Sequence, residues 1–299
     1  MRLVIGLASF CAALLFSHQA ALAEPLPQRW VSAGGSISEW VVALGGQDKL
    51  VGVDTTSQHP EALKALPSIG YQRQLAAEGI LSLRPDILVG TEEMGPPPVL
   101  AQVSAAGVRI ERLASTADLV TLEKNLKLIG ALLGEDARAS QAFADYSLRL
   151  QRQADWVAKV QQTQHAPRVL FLLGHSGSSP MAAGKDTAAA WLIERAGGLN
   201  LTDHQGYKAI SNEALAALDP DVVVIADRRL EGDAARDALL RQNPALAATR
   251  AARNGRLLSL DPTLLVGGLG PRLPDGMAAL SAGFYPSAPA LTEKSPSQP

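Results

Sequence analysis

Cysteine is almost absent from this chain, and its absence excludes several kinds of site. The 299 residues include one cysteine, Cys11, inside an apolar N-terminal segment. Bulky Phe10 stands directly before it, where a lipid attachment site would need a small residue. The rest of the chain therefore cannot form disulfides, thiolate metal sites or iron–sulfur clusters. Any metal bound there would need oxygen or nitrogen ligands.

Beyond the N-terminus the chain also lacks long apolar runs. A cationic start at Met1-Arg2, an apolar run over residues 3–16 and small residues at Ala21-Leu22-Ala23 are typical of a secretory signal peptide. We predict that residues 1–23 are removed after Ala23; the alternative is a buried N-terminal helix. No later stretch reaches the roughly 18 apolar residues that a membrane span requires. We therefore expect an exported periplasmic protein with no direct membrane insertion.

Neither a strong net charge nor an abundance of aromatic residues is present. Loss of residues 1–23 removes only Arg2 among the charged residues, which leaves 26 Lys and Arg against 29 Asp and Glu, a net charge of −3. Such a balance gives no indication of nucleic-acid binding. Hydrophobic residues make up 47% of the chain, enough for a sizeable core, whereas aromatic residues make up only 4%, so each tyrosine and tryptophan is informative.

Predicted strands and helices alternate in two parts of the chain. Strands are predicted at 30–33, 50–53, 86–89 and 108–110, with helices at 37–44, 59–66, 76–83 and 99–106. Further strands are predicted at 168–173, 222–225 and 257–260, with helices at 187–196, 210–217 and 244–252. This alternation predicts parallel sheets. We expect two α/β lobes, residues 24–118 and 163–285, and a flexible tail over residues 286–299.

Residues 119–162 follow a different pattern. Apolar residues recur at helical spacing from Leu122 to Val160, and no proline occurs between Pro98 and Pro167. The segment is far longer than an average helix of about 11–12 residues. We predict one long backbone helix that joins the two lobes. The alternative is two packed helices with a break at Gly134-Glu135-Asp136.

The two lobes have corresponding sequence features in the same order. The corresponding pairs are Gly70-Tyr71 with Gly206-Tyr207, Glu78 with Glu213, and Pro85-Asp86 with Pro220-Asp221. In both lobes the glutamate stands seven residues before the proline. This common order predicts an internal duplication. Two similar lobes joined by a helix leave a cleft between them, and clefts between domains are preferred ligand sites.

Catalytic patterns are missing or incomplete. Gly174-His175-Ser176-Gly177-Ser178 follows a predicted strand, but the fifth residue of a nucleophile elbow should be glycine. Gly267-Gly268-Leu269-Gly270 does not fit a dinucleotide-binding loop, and no phosphate loop occurs. The histidines lack the spacing of a metal site. We expect a binding protein and not an enzyme; the alternative from another class is an exported serine hydrolase that uses Ser176 and His175.

Tyr71 carries the most specific chemistry in the sequence. It lies two residues before Arg73 in a loop between periodic segments. A phenolate is a hard oxygen ligand suited to ferric iron, and tyrosine is an axial ligand of haem in some proteins. Free phenol has a pKa of about 10, so a guanidinium that donates to the phenolate would favour the ionised form. The alternative is a tyrosine that packs on its neighbours beside a solvated arginine.

The run Ile69-Gly70-Tyr71-Gln72-Arg73-Gln74-Leu75, together with residues 77–86, resembles the periplasmic haem-binding proteins of bacterial haem-uptake ABC transporters. These belong to the helical-backbone class of substrate-binding proteins, which also includes vitamin B12 and siderophore binders. The resemblance implies that haem b is bound non-covalently as cargo, with Tyr71 as the axial ligand of the iron and Arg73 in support. It also implies delivery to an inner-membrane ABC permease and its ATPase, and we expect a monomer. A ferric siderophore or cobalamin binder of the same fold is the alternative.

Other contacts to the ligand are predicted from position. Arg228 follows a buried strand, and the carboxyl end of a parallel strand faces the ligand crevice, so Arg228 could bind a haem propionate, with Arg229 as competitor. Tyr207 and Lys208 lie in the counterpart of the Tyr71 loop and are expected to face the same cleft. His175 follows the first strand of the second lobe and is a weaker candidate. For Arg228 the alternative is a solvated surface side chain, and for His175 it is a locally hydrogen-bonded loop histidine.

Glu78 and Glu213 occupy equivalent places in the two copies and should lie near the lobe tips. The resemblance implies that they present one carboxylate per lobe to arginines of the permease. The alternative is that both are glutamates at helix starts, where the helix dipole favours negative charge.

Overall fold

Two α/β lobes face each other across a cleft in the computed structural model, which describes residues 25–174, 180–227 and 232–291. The predicted signal peptide, residues 1–23, lies outside the described residues. No helix in the described ranges is long and apolar enough to cross a membrane.

The N-terminal lobe is built on a parallel sheet. Its strands are β1 (Trp30–Ala33), β2 (Leu50–Val53), β3 (Ile87–Thr91) and β4 (Arg109–Leu113), in the order β2-β1-β3-β4. Its helices are α1 (Gly35–Ala43), α2 (Ala77–Ser82) and α3 (Pro97–Ala105). β1 and β3 are buried along their whole length, as expected for central strands covered by helices on both faces. The predicted parallel sheet is therefore confirmed in this lobe.

Two helices, and not one, link the lobes. Helix α4 (Leu119–Leu133) ends at Gly134, which has a left-handed φ of 77°, and helix α5 (Asp136–Val160) begins two residues later. The two helices pack against each other. A glycine in this conformation ends a helix with little steric cost. The prediction of a single backbone helix over residues 119–162 is wrong, because the apolar periodicity continues across the break when both helices face the same core.

The C-terminal lobe repeats the first sheet and adds to it. Its strands are β5 (Arg168–Gly174), β6 (Met181–Ala183), β7 (Leu199–Asn200), β8 (Tyr207–Ala209), β9 (Val222–Asp227) and β10 (Leu257–Ser259). Strands β7-β5-β9-β10 are all parallel and reproduce the order of β2-β1-β3-β4. Strand β6 is added antiparallel to β5, and β8 is added antiparallel to β6. This sheet is therefore mixed: its β7-β5-β9-β10 part is parallel, as predicted, and the two antiparallel pairings were not predicted.

The helices of the C-terminal lobe surround this sheet. They are α6 (Ala188–Arg195), α7 (Asn212–Leu218), α8 (Gly232–Gln242), α9 (Pro244–Ala247), α10 (Arg250–Arg253) and α11 (Leu273–Phe284). The single helix predicted over 244–252 is divided into α9 and α10, because the Thr249 side chain caps a new helix by accepting from the Ala252 amide. Helix α11 packs on α5 and so anchors the linking segment to this lobe.

Hydrogen bonds at the strand starts confirm the duplication. The Asp86 carboxylate accepts from the main-chain N–H of Arg29 at 2.9 Å, and the Asp221 carboxylate accepts from the main-chain N–H of Arg168 at 2.9 Å. In both lobes the arginine guanidinium donates to carbonyls of the turn before the aspartate. The residue two positions before each aspartate has a left-handed φ, 47° and 38°. The same turn therefore starts the same central strand in each copy.

A second connection joins the lobes beside the cleft. Residues 262–272 of the C-terminal lobe lie on helix α1 of the N-terminal lobe. The Ser36 N–H donates to the Val266 carbonyl at 3.1 Å, and the Trp40 indole N–H donates to the Leu269 carbonyl at 2.7 Å. These buried bonds fix the segment that forms the floor of the cleft to the N-terminal lobe.

Part of the predicted flexible tail packs on the linking helices. The Trp156 indole N–H donates to the Pro289 carbonyl at 2.9 Å, and the Ala288 N–H donates to the Tyr285 carbonyl at 2.9 Å. Ala288 and Pro289 therefore have defined contacts, whereas residues 292–299 lie outside the described residues.

Candidate ligand-binding cleft

The interlobe cleft has two adjoining compartments. The larger has a volume of about 860 Å³ and the smaller about 280 Å³, and both are lined by Arg73, Glu93, Tyr207 and Leu265. The walls come from loops at the carboxyl ends of parallel strands in both lobes, the usual position of ligands in such sheets. The predicted cleft between two similar lobes is therefore present.

The loop that carries Tyr71 is fixed by main-chain hydrogen bonds. Gly70 has a φ of 86°, a conformation that favours glycine, and the Gln74 N–H donates to the Tyr71 carbonyl at 2.7 Å. Behind the loop, the Gly95 N–H donates to the carbonyl of Gln72 at 2.9 Å, and the Gln72 side chain is buried. Tyr71 is half-buried and lines the smaller compartment, so its phenol is held at the cleft wall by a well-ordered turn.

Arg73 lies on the same wall but is paired with a carboxylate that the sequence reasoning did not include. Its Nη2 is 2.7 Å from Oε1 of Glu93. This hydrogen bond, opposed by partial burial and assisted by the charges of Glu93 and Tyr71, raises the pKa of the Arg73 guanidinium above its ordinary value. Tyr71 and Arg73 both line the smaller compartment. The structure thus brings Tyr71 and Arg73 to one compartment, together with Glu93.

The position of Glu93 follows from strand β3. It stands two residues after the strand end, and the flanking main chain is bonded on both sides. The Glu92 N–H donates to the Leu113 carbonyl and the Met94 N–H to the Thr91 carbonyl, each at 3.0 Å. Acidic residues directly after a predicted buried strand of a parallel sheet are a signal that could have identified Glu93 from the sequence.

Tyr207 faces the cleft from the opposite lobe, as predicted, but Lys208 does not. Tyr207 lines both compartments from strand β8, where it is opposite Ala183. Successive side chains of a strand point to opposite faces, so Lys208 is directed away from the cleft. Lys208 is exposed and contributes to neither compartment. The expectation that Lys208 lines the cleft was wrong because the Tyr71 turn is replaced here by an antiparallel strand.

A different lysine supplies a cation to the larger compartment. Lys185 lies in the loop after β6, and its main-chain N–H donates to the His204 carbonyl at 2.7 Å. Across the cleft stand Ser115 and Thr116, which follow strand β4. Trp191 of helix α6 adds an aromatic surface to the same compartment. The sequence reasoning missed Lys185 because it assigned no strand between β5 and α6.

The other predicted ligand contacts lie outside the described residues. These are His175 and Arg228, with its competitor Arg229; Ser176 of the hydrolase alternative lies outside them as well. Within the described ranges, no group of three or more His, Cys, Asp or Glu side chains could hold a bare metal ion. The described walls instead offer a phenol, a guanidinium, an ammonium group and aromatic surfaces. Such a set suits a metal that brings most of its own ligands.

Glu78 and Glu213 occupy equivalent places, as predicted. Each is exposed and is the second residue of a short helix, α2 or α7, that precedes a central strand of its sheet. Because each helix runs back toward the start of that strand, its own start lies at the cleft edge of the lobe. The pKa of Glu213 lies below its ordinary value, chiefly because its own main-chain N–H and the Ser211 hydroxyl donate to the carboxylate.

Comparison with known proteins agrees with this architecture. The family model described as "Periplasmic binding protein" matches residues 31–264. A periplasmic haem-binding protein from Pseudomonas aeruginosa is 69% identical in sequence, with a TM-score of 0.87 over 89% of this chain and 96% of that chain. The periplasmic haem-binding protein RhuT from Roseiflexus sp. RS-1 is 36% identical, with a TM-score of 0.79 over 89% of this chain and 99% of that one.

A more distant relative has another ligand in its name. The cobalamin-binding protein of Halobacterium salinarum is 26% identical over 275 residues, which span 90% of this chain and 72% of that protein. The family match covers most of the residues that build both lobes and the linking helices. This chain therefore belongs to the periplasmic binding protein family.

Proposed function

We propose that this chain binds haem in the interlobe cleft and delivers it to an inner-membrane ABC importer. The observation that carries the proposal is the presence of Tyr71 and Arg73 on one wall of the smaller compartment, with Tyr207 on the opposite wall. The 69% identity to a periplasmic haem-binding protein supports the same ligand.

The chemistry of the walls agrees with ferric haem. The porphyrin supplies four nitrogen ligands to the iron, so the protein needs to add only an axial ligand. A Tyr71 phenolate would be that ligand, and the positive charge of Arg73 would favour the ionised form. Tyr207, Trp191 and Leu265 offer flat or apolar surfaces to the macrocycle.

The negative charges of the haem propionates require cations or hydroxyl donors. On the described walls Lys185 supplies an ammonium group and Thr116 a hydroxyl, whereas the Ser115 hydroxyl already donates to the Glu92 carboxylate. Arg228 stays a predicted contact from the C-terminal lobe. Charge-assisted hydrogen bonds of this kind are about twice as strong as neutral ones and would fix the orientation of the ring in the cleft.

Delivery requires docking to a permease, and Glu78 and Glu213 are our candidates for that contact. They stand at equivalent places, one on each lobe, and both are exposed. Paired carboxylates at fixed separation would bind two arginines on the membrane protein and orient the cleft toward it. Transport would then be driven by the ATPase of the importer, while the binding protein acts as a periplasmic monomer without catalysis.

The alternative ligand with a specific observation behind it is cobalamin, since a relative at 26% identity is a cobalamin-binding protein. Cobalamin carries its own lower ligand and a bulky nucleotide, so it has no need of a protein phenolate. Titration of the protein with hemin and with cyanocobalamin, followed by tryptophan fluorescence, separates the two ligands. Binding of cyanocobalamin with higher affinity than hemin would refute the proposal.

The axial ligand is tested by Tyr71→Phe, with Tyr207→Phe as matched control. Both variants lose one phenol hydroxyl from the same compartment. With hemin, the wild type and Tyr207→Phe should give the high-spin ferric spectrum of tyrosinate ligation. Tyr71→Phe should lose that spectrum and bind at least about tenfold more weakly, a difference of 1.4 kcal/mol. An unchanged Soret band and affinity in Tyr71→Phe would show that the axial assignment is wrong.

A further inference from the structure

Arg73 is the cation that the proposed function assigns to Tyr71, but in the structure it is paired with Glu93. We propose that Glu93 is a positioning residue that retains Arg73 while the cleft is empty and competes with the Tyr71 phenolate for it, so that hemin is bound less tightly and released more readily. This inference rests on the proposed function and concerns the control of ligand release.

The geometry makes the pair a direct obstacle to the ligand. Nη2 of Arg73 and Oε1 of Glu93 are 2.7 Å apart, and both residues line both compartments of the cleft. A planar ligand that binds to Tyr71 must pass beside the pair. The side chains are 53% and 37% exposed, so water can solvate either group once the pair is broken. The exchange of partners therefore carries a modest cost.

Glu93 cannot leave the cleft by a movement of its loop. The preceding residue, Glu92, is fixed by three sets of hydrogen bonds. Its main-chain N–H donates to the Leu113 carbonyl, and its carbonyl accepts from Arg112 Nη2 at 2.7 Å. Its carboxylate accepts from the main-chain N–H and the hydroxyl of Ser115 at 3.2 and 3.0 Å. These bonds tie the Glu93 loop to strand β4. The carboxylate is therefore a permanent part of the wall and can only rotate about its side-chain bonds.

Among the acidic residues on the described cleft walls, Glu93 is the one placed to act on Tyr71. The charged and titratable groups on the described walls are Tyr71, Arg73, Glu93, Lys185, Asp186, Glu194 and Tyr207. Asp186 accepts from the Gly206 N–H at 2.9 Å and is bonded to its own loop, and Glu194 lines only the larger compartment. Among these acids, Glu93 alone lines the compartment of Tyr71.

The charge balance gives the direction of the effect. Hemin carries two carboxylates, and its tyrosinate ligand adds another negative charge on the side of the iron. Glu93 repels both and withholds Arg73 from the phenolate. Without the charge of Glu93, Arg73 is available to the phenolate, and the ionised ligand is favoured. The exposure of the pair limits the gain to about two- to fivefold in affinity.

The test compares Glu93→Gln with the wild type and uses Glu194→Gln as matched control. Glu194→Gln removes the same charge from the cleft but leaves the Arg73 pair intact. Hemin affinity is measured by Soret titration, and release is measured by transfer to excess apomyoglobin. The Arg73→Gln variant and the Arg73→Gln/Glu93→Gln double variant complete a thermodynamic cycle. Circular dichroism establishes that each variant is folded.

We expect Glu93→Gln to bind hemin two- to fivefold more tightly and to release it correspondingly more slowly than the wild type. In the Arg73→Gln background the gain in affinity should be smaller, because only the direct repulsion by Glu93 is then removed. A weaker complex in Glu93→Gln, no change, or an equal effect with and without Arg73 overturns the inference. Failure of the proposed function is distinct, since the wild type would then lack the Tyr71-dependent spectrum from the outset.

Discussion

Glu39 of helix α1 and Arg272 at the start of helix α11 form a salt bridge of 2.7 Å between the two lobes. The Glu39 side chain is only 5% exposed. Arg272 also donates to Asp261 at 2.8 Å, and Asp261 lies 3.1 Å from Nε2 of His59 in the N-terminal lobe. The network encloses the segment that forms the floor of the cleft, so the lobes are held together by charge as well as by the linking helices.

Loss of Arg272 should destabilise the protein strongly. Arg272→Met leaves the buried Glu39 carboxylate without its cation, which costs several kcal/mol in comparable pairs; because Arg272 is partly exposed, we expect about 2–4 kcal/mol. Urea unfolding measures the change in the free energy of unfolding. Lys64→Met is the control, since its pair with Glu61 is largely exposed and should contribute little to the stability. Equal effects of the two substitutions would contradict this role of Arg272.

Two carboxylates of the same network, Glu39 and Asp261, should make the stability of the protein depend on pH in opposite directions. Burial raises the pKa of Glu39 above its ordinary value of 4.5, by more than the bond and charge of Arg272 lower it. The stability that Glu39 contributes is therefore complete below pH 4.5 and is lost as the pH rises through the higher folded pKa. The Glu39→Gln variant has no carboxylate to ionise at this position and avoids this loss. The stability of the variant relative to the wild type should therefore increase as the pH is raised from 4 to 7.

Asp261 should behave in the opposite sense. Burial raises its pKa, but the hydrogen bonds from Thr263 and Arg272 together outweigh burial, and the net pKa lies below the ordinary 3.8. Its contribution is present above pH 3.8 and is lost as the pH falls through the lower folded pKa. Asp261→Asn should therefore lose less stability than the wild type on acidification below pH 4. Thermal unfolding of both variants across pH 3 to 7 checks the two signs; parallel curves would refute them.

The cleft cation is tested by a pair of lysines. Lys185 lines the larger compartment, whereas Lys208 is directed away from it. Lys185→Gln should weaken hemin binding about three- to tenfold, as expected for loss of a charge-assisted hydrogen bond to a propionate. Lys208→Gln should leave the affinity unchanged, and hemin titration by the Soret band measures both. A larger loss of hemin affinity in Lys208→Gln than in Lys185→Gln would show that Lys208 contacts the ligand, as the duplicated sequence predicts.

The fold was predictable where local pattern and long-range packing agree. Strands β1 and β2 have the predicted bounds, and the repeated Pro-Asp turns indicated equivalent strands β3 and β9. The break between α4 and α5 is predictable only as an alternative, because one glycine interrupts an apolar pattern that both helices share. Strands β6 and β8 were missed because three residues such as Met181-Ala182-Ala183 are too short to show an alternating pattern.

The site was predictable in its aromatic residue and not in its partners. Tyr71 and Arg73 stand two residues apart, so their proximity follows from the chain itself. Glu93 reaches Arg73 only because β3 and the Tyr71 loop end at the same edge of the sheet, a contact across 20 residues that no local spacing reveals. Arg272 and Glu39 are separated by 233 residues, so their pairing depends on how the lobes dock.

Docking to the permease is the step that the paired glutamates should control. Glu78 and Glu213 are both exposed and equivalent in the two copies, and neither lines the described compartments. The double variant Glu78→Ala/Glu213→Ala should therefore keep the hemin affinity of the wild type. In proteoliposomes that contain the haem importer, however, it should stimulate ATP hydrolysis and haem uptake about tenfold less, because two interfacial ion pairs are lost.

The matched control is Glu61→Ala/Glu123→Ala, which removes two other exposed glutamates of the N-terminal half that form local pairs with lysines. This control should stimulate transport as well as the wild type does. Raising the salt concentration should weaken docking of the wild type and have little further effect on the Glu78→Ala/Glu213→Ala variant, since screening removes the interaction that the variant already lacks. Loss of hemin affinity in that variant would instead indicate that the two carboxylates support the cleft, and undiminished transport would exclude them from the docking surface.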